Sequence, residues 1–310
     1  MKLKRLTALL LSVMMVLSLA ACGGGGDTKD DSASGDLSGK EIIIGNITPV
    51  TGAQAAYGLA ITNSIQLAID EINAAGGILG ATVKLSTKDD QGTPAEAVSG
   101  FNSLLSEGAS AIIGATLSSC TSAITSLADD EGIVLVTPSS TADSITTKDD
   151  YVFRSCFKDS FQGEMVAAYA KDQGWTKAAV LYATGDTYSS GLHDSFVKAA
   201  EKYGIEIVCE QSSSDTGAVD FSSQLATIAA SGADMLFAPY YYDAVGPKII
   251  PQAREAGFKG AIMGCDGFDG TQDYTTGDLS AYENVYFTNH YSPEDSSEIV
   301  QNYVKNYTAK

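Results

Sequence analysis

The sequence predicts an α/β protein of two successive lobes, each a doubly wound parallel sheet covered by helices. Two observations predict it. From Glu41 onward, short β-branched runs alternate with longer segments of helical period, the pattern of parallel strands joined by crossover helices. The alternation also runs through once and then restarts after about residue 157, which argues for two similar units rather than one large sheet.

In the first unit, strands are expected at Ile42–Ile47, Val83–Lys88, Ala111–Gly114 and Val134–Thr137. Helices are expected at Tyr57–Ala75, Pro94–Glu107 and Ser118–Glu131. The first helix sets Leu59, Ile61, Ile65, Leu67, Ala68, Ile69 and Ile72 on a broad apolar stripe, and Gly76-Gly77 supplies a C-cap. Tyr151–Arg154 reads as a further strand. The second unit predicts helices at Ser160–Gln173, Ser189–Tyr203, Val219–Ala230 and Ala244–Ala256. Its strands are expected at Ala178–Tyr182, Ile205–Glu210, Met235–Ala238 and Ala261–Gly264. Phe287–His290 is expected as a crossing strand, and a helix at Glu298–Tyr307 should return to the first lobe. The lobes are thus 41–157 with 290–310, and 158–289. An amphipathic segment stops at Lys310 without a cap or closing strand, so the first lobe is expected to be incomplete in this sequence.

The N-terminus reads as an address. Lys2, Lys4 and Arg5 precede an apolar run over Leu6–Leu19, shorter than the roughly 20 residues a spanning helix needs. Leu19-Ala20-Ala21-Cys22 follows, and this resembles the bacterial lipobox, in which the cysteine is lipidated and becomes the new N-terminus. Residues 1–22 are therefore read as a lipoprotein signal peptide. Residues 23–40 are rich in glycine, serine and acid, and are read as a flexible tether. Losing three basic residues takes the formal net charge from −19 to −22, which disfavours nucleic acid as a partner. The remaining cysteines, Cys120, Cys156, Cys209 and Cys265, stand singly and show no metal spacing. They are expected to be free thiols, mostly buried. No cofactor or metal is implied.

Ligands of open α/β sheets gather beyond the carboxyl ends of the strands. The residues there are Thr48–Gly58, Ala115–Thr121 and Thr137–Thr141, three hydroxyl-rich loops on one rim. Hydroxyls and helix-start amides make a cradle for a carboxylate, although any one of these residues is more commonly just a helix cap. In the second unit the rim offers Thr184–Tyr188, Pro239–Asp243 and Cys265–Gly267, that is, aromatic walls and a carboxylate. Donors facing an acid and tyrosines suit a zwitterion.

These loops in this order resemble the extracytoplasmic solute-binding proteins of branched-chain amino acid ABC importers, of the leucine/isoleucine/valine-binding type. The matching text is GNITPVTGAQAAYG (Gly45–Gly58), AIDEINAAGGILG (Ala68–Gly80), GIVLVTPSST (Gly132–Thr141), QAREAG (Gln252–Gly257) and Gly264-Cys265-Asp266-Gly267. The resemblance implies a type I periplasmic binding protein fold with a hinge between its lobes. It implies that Ser118 and Ser139, Ser140 and Thr141 hold the amino-acid carboxylate, and that Asp266 holds the ammonium. Tyr57, Tyr188 and Tyr242 fall at pocket positions, with Tyr242 expected to reach the ligand rather than Tyr240 or Tyr241. Relatives nearest the enteric proteins carry Glu at the ammonium position, one methylene longer than Asp266. The family chain also normally continues for several more elements.

The implied function is a monomeric, lipid-anchored receptor, on a bacterium without an outer membrane, that delivers an amino acid to an ABC permease and its ATPase. The same scaffold would serve a short amide, urea, an aromatic acid, or a sensor acting through a partner protein. An enzyme is not expected: Cys120 with His193 or His290 is the one thinkable thiol and base, and no nucleophile elbow or phosphate loop occurs.

Overall fold

A computed structural model describes residues 35–147, 151–275 and 277–310. Cys22, the signal segment and most of the tether lie outside the described residues. Within Ser38–Lys310 the chain forms two five-stranded sheets in which every pairing is parallel.

The first sheet holds β1 (Glu41–Thr48), β2 (Thr82–Asp89), β3 (Ala111–Ile113), β4 (Leu135–Thr137) and β5 (Val152–Arg154), in the order β2-β1-β3-β4-β5. Its helices are α1 (Ala55–Ala74), α2 (Pro94–Ser106) and α3 (Ser118–Glu131). The second sheet holds β6 (Lys177–Ala183), β7 (Glu206–Ser213), β8 (Met235–Phe237), β9 (Ala261–Gly264) and β10 (Val285–Phe287), in the order β10-β9-β8-β6-β7. Around it lie α4 (Asp159–Asp172), α5 (Thr187–Tyr203), α6 (Ser222–Ala230) and a composite α7 (242–255). Counted from its own first strand, the second sheet repeats the order of the first. The order reverses between β1 and β3 in one lobe and between β6 and β8 in the other, and a crevice opens at each reversal.

Several of the recurrent sequence stretches are architectural. The Asn73 amide pins α1 to edge strand β2: Nδ2 donates to the Val83 carbonyl at 2.9 Å, and Oδ1 accepts from the Val83 N–H at 2.8 Å. The Gly77 N–H closes α1 onto the Ile72 carbonyl at 2.9 Å with Gly76 and Gly77 both at positive φ, the cap expected of that pair. The Arg254 guanidinium donates to the carbonyls of Phe258, Gly260, Ala281 and Glu283, tying α7 to the turns that flank β9 and β10. Gln252 Oε1 accepts the Phe221 N–H at 2.7 Å and so holds the start of α6.

Three elements depart from expectation. The helix predicted from Val219 starts at Ser222, because the Asp220 carboxylate accepts both the N–H and the hydroxyl of Ser222 and stops the chain there. α7 is not one regular helix: an α turn at Tyr242–Ala244 passes through a π-helical stretch, Val245–Ile249, into Ile250–Glu255. Pro247 within that stretch has no N–H to give, so the ladder shifts around it. The strand expected at Phe287–His290 lies at Val285–Phe287, and it is an edge strand of the second sheet, paired to β9. The crossing back is made by residues 288–297, which carry no strand and lead into α8 (Glu298–Thr308). There the Tyr303 hydroxyl lies 2.8 Å from Ser64 Oγ of α1, and Asn306 Nδ2 donates to Glu71 Oε1 at 3.2 Å.

Candidate functional site

The carboxyl ends of the two sheets face each other, and polar bonds join the lobes across the seam. Ser119 Oγ donates to Asp186 Oδ2 and accepts the Thr187 N–H, both at 3.0 Å. Gln54 Nε2 donates to Asp243 Oδ1 at 2.9 Å. The Tyr57 hydroxyl reaches the carbonyls of Gly267 and Asp269, each at 2.9 Å, and that of Asp266 at 3.3 Å. Gly58 makes this reach possible, since a Cβ there would stand 1.9 Å from the Pro49 carbonyl oxygen, and only glycine lets α1 begin so close to the end of β1.

Between these ties lies a cavity of about 250 Å³. From the first lobe it is lined by Tyr57, Ala60, Ile61 and Ser64 of α1, by Thr116, Leu117 and Ser118 at the start of α3, and by Ser139. From the second it is lined by Tyr188, Tyr241, Asp266, Gly267 and Asp269. Asn289, His290 and Tyr291 of the return segment and Tyr303 of α8 complete it.

The N-terminal side is a hydroxyl lattice. Thr48 Oγ1 and Thr116 Oγ1 are 2.6 Å apart, and Thr137 Oγ1 donates to the Ala115 carbonyl at 2.8 Å. Ser139 Oγ donates to the Thr116 carbonyl at 2.8 Å, while Ser140 Oγ turns inward to Thr121 Oγ1 at 2.5 Å. With these loops fixed, α3 points its start at the cavity. Thr121 is the first residue of α3 to bond back along the helix, to Leu117, so the N–H groups of Ser118, Ser119 and Cys120 have no helical acceptor. That end is favourable for an anion.

On the opposite side Asp266 is held at one oxygen. Its Oδ1 accepts from Gln162 Nε2 at 2.8 Å and from the Tyr188 hydroxyl at 2.9 Å, and its N–H donates to Gln162 Oε1 at 3.1 Å. Oδ2 lies 3.3 Å from His290 Nε2. Burial, then the Asp266 charge, raise the pKa values of Tyr57 and Tyr188, so both hydroxyls stay protonated donors. Behind Gln162, burial raises the pKa of Asp159, and the adjacent Thr141 hydroxyl pulls it the other way. Gly267 leaves room for Tyr188 to reach Asp266, since a Cβ there would come within 2.7 Å of the Tyr188 hydroxyl.

Of the residues expected at the site, Tyr57, Ser118, Ser139, Tyr188 and Asp266 line this cavity. Ser140 and Thr141 lie behind the rim, fully buried. Tyr242, the tyrosine of the run expected at the ligand, is placed differently: Tyr241 walls the cavity, whereas the Tyr242 hydroxyl lies in the seam, donating to the Ala53 carbonyl at 3.1 Å and accepting the Ala56 N–H at 3.3 Å. The reason is a tight turn after β8, where the Tyr240 N–H donates to the Ala238 carbonyl at 2.8 Å and changes the phase of the side chains. Gln162, Asn289, His290 and Asp269 were not anticipated. Their position after a helix start or in a coil carries no signal that sequence patterning could use.

The alternative thiol chemistry finds no support in this geometry. Cys120 is fully buried and burial pushes its thiol pKa up, away from an activated nucleophile. His193 stacks on Tyr182 and contacts Glu210 and Asp194, while His290 belongs to Asp266. Cys120, Cys156, Cys209 and Cys265 are free, and Cys120 and Cys265 are buried. Among the described residues, no cluster of metal-ligating side chains occurs and no helix is long and apolar enough to cross a membrane.

Residues 41–310 match the periplasmic binding protein family. The chain is similar to Leu/Ile/Val-binding protein homolog 3 of Brucella melitensis, with 32% identity over 80% of this chain and 67% of that protein. The Leu/Ile/Val-binding protein of Escherichia coli is 28% identical over 74% of this chain and 62% of its own length. Among solved structures, the branched-chain amino acid transporter substrate-binding protein LivJ of Streptococcus pneumoniae, in complex with isoleucine, superposes with a TM-score of 0.78 at 32% identity, covering 87% of this chain and 77% of that one. The leucine-binding protein LivK of Thermotoga maritima gives 0.80 at 30% identity, covering 86% and 75%. With two parallel-sheet lobes of repeated strand order closing on a cavity at their reversal points, this chain belongs to the periplasmic binding protein family and has its type I fold.

Proposed function

We propose that this protein is an extracytoplasmic receptor that captures an amino acid, branched-chain or related, between its lobes and delivers it to an ABC permease driven by an ATPase. The observation that carries the reading is the cavity in which the open amides and Ser118 at the start of α3 face Asp266. An α-carboxylate is matched by the helix start and an α-ammonium by the carboxylate, so the two ends of the ligand engage different lobes and favour closure. Ser139, with Tyr57, Tyr188 and Tyr241, encloses the remainder. The Ser140 hydroxyl acts by holding the rim loops, Thr141 ties the rim to α4 through its carbonyl, which accepts the Asp159 N–H at 3.0 Å, and Tyr242 closes the seam.

The similarity to the Brucella, Streptococcus and Thermotoga proteins supports the ligand class. The cavity supports binding of a monomer, since a single chain supplies both sides. The segment ending in Leu19-Ala20-Ala21-Cys22 supports a diacylglycerol thioether at Cys22 that tethers the receptor to the outer face of the cell membrane. Cys22→Ser should then release the protein into the medium.

Isothermal titration calorimetry of the mature chain against the twenty amino acids tests the function. One-to-one binding of leucine, isoleucine, valine or a related amino acid is expected. Silence across the whole panel overturns it.

A further inference from the structure

Asp266 carries the arrangement further than its charge alone. Both lone-pair directions of interest on Oδ1 are used, by Gln162 at 2.8 Å and Tyr188 at 2.9 Å. The oxygen left for a ligand is Oδ2, and it is the one that faces His290 Nε2 at 3.3 Å. Asp266 and His290 both line the cavity. The imidazole is set by its surroundings: it stacks on Phe157 with ring centroids 4.1 Å apart at 18°, and the backbone beneath it is held where the His290 main-chain N–H donates to Asn289 Oδ1 at 2.8 Å.

We propose that His290 is a specificity-determining residue that shares Asp266 Oδ2 with the ligand ammonium, so that the receptor holds an amino acid when the imidazole is neutral and releases it when the imidazole is protonated. This rests on the amino-acid reading above. A neutral imidazole leaves Oδ2 open to a second donor, and in the tautomer with a bare Nε2 it adds an acceptor for the ammonium. A protonated imidazole does the reverse, because it binds Oδ2 as a cation and repels a second cation a few ångströms away. Asp266 contacts His290, and the other ionisable groups that line the cavity with it are Asp269 from the loop after β9, Tyr188 and Tyr241 from the second lobe, Tyr57 from α1, and Tyr291 and Tyr303 from the return segment and α8. Phe157, on the segment that precedes α4, presents only a ring. No lysine or arginine lines the cavity among the described residues, so His290 is the cation with which a ligand competes there.

The chain has two histidines, and His193 stands apart, against Tyr182 and Glu210. The device can therefore be isolated. Calorimetric titration of the full chain with leucine, isoleucine, valine and their close relatives is run between pH 8 and pH 5.5 on the wild type, on His290→Gln and on His193→Gln. The wild type and His193→Gln are expected to lose affinity roughly tenfold or more over that interval, while His290→Gln keeps at pH 5.5 the affinity it has at pH 8. Equal pH slopes in the wild type and His290→Gln, or a flat wild type, overturn the inference and leave the amino-acid reading intact. Absence of binding by any amino acid at pH 8 overturns that reading itself, and this inference with it.

Discussion

Two lobes of the same strand order meet the cleft with different chemistry, and their acids show the difference best. In the N-terminal lobe Asp90 is fully buried behind the rim, with Oδ1 accepting the Gly92 N–H at 2.9 Å and Oδ2 without a partner. Burial pushes its pKa up to about 6. In the C-terminal lobe Asp266 stands in the cavity, one oxygen held by Gln162 and Tyr188 and the other turned to the ligand space. The same side chain is thus buried with an unpartnered oxygen in one lobe and lines the cavity with its carboxylate braced in the other. What separates them is hydrogen bonding: the Asp90 carboxylate is buried with one oxygen unpartnered and so resists ionisation, whereas Asp266 is given two side-chain donors at one oxygen.

Removing each acid is the sharpest way to test that contrast. The largest effect is expected from Asp90→Asn, read as a difference in pH dependence. A raised native pKa means that the folded protein binds the proton better than the unfolded chain. Asp90 therefore favours folding most below about pH 4, and that contribution is lost as pH rises to about 6 and beyond. A shift of that size is worth about 3 kcal/mol. Thermal or denaturant unfolding between pH 4 and 8 should show the wild type losing stability relative to Asp90→Asn as pH rises. Parallel curves would show that Asp90 ionises in the native state as easily as in the unfolded chain.

Asp266→Ala should come next, costing about 1.5 to 3 kcal/mol of amino-acid binding, the usual loss of a charged hydrogen bond. Unchanged affinity by calorimetry would favour a ligand without a cationic end, such as an aromatic acid, which the surrounding tyrosines could also hold. Ser118→Ala probes the other lobe. Its hydroxyl is one neutral donor among several helix-start amides, so about 1 kcal/mol is expected in the same assay. A loss as large as that of Asp266→Ala would break the asymmetry between the lobes. The smallest effect is expected from Tyr57→Phe, which removes a seam bond whose single proton is shared among three carbonyls, at about 0.5 to 1 kcal/mol. A shift toward an open form in small-angle scattering without ligand would register it.

Much of this arrangement is legible before any coordinates. β-branched runs such as Ile42–Ile47 mark strands because strands covered on both faces must be apolar throughout, and the residues that follow them must then lie on the rim. That rule marks the loops that carry Ser118, Ser139 and Asp266, and the family resemblance singles out these residues within them. Gln162 and His290 are not, because their meeting with Asp266 depends on packing across 104 positions in one case and on a coil in the other. Tyr242 stands off the cavity lining for a local reason, since strand alternation does not extend through the tight turn at Ala238–Tyr240. The break in α7 was equally hidden, because Pro247 tells where a ladder must fail but not which repair the neighbours allow.

Three consecutive tyrosines leave β8 for three surroundings. The Tyr240 hydroxyl is 2.8 Å from Ser213 Oγ within the lobe, Tyr241 walls the cavity, and Tyr242 spans the seam. A run of one residue type gives this connection a tolerance that mixed sequence would lack. If the backbone slips by one position there, through a length change in the turn or in the irregular helix that follows, a phenol still arrives at two of the three places. Loop length near the cavity could drift over generations without emptying it.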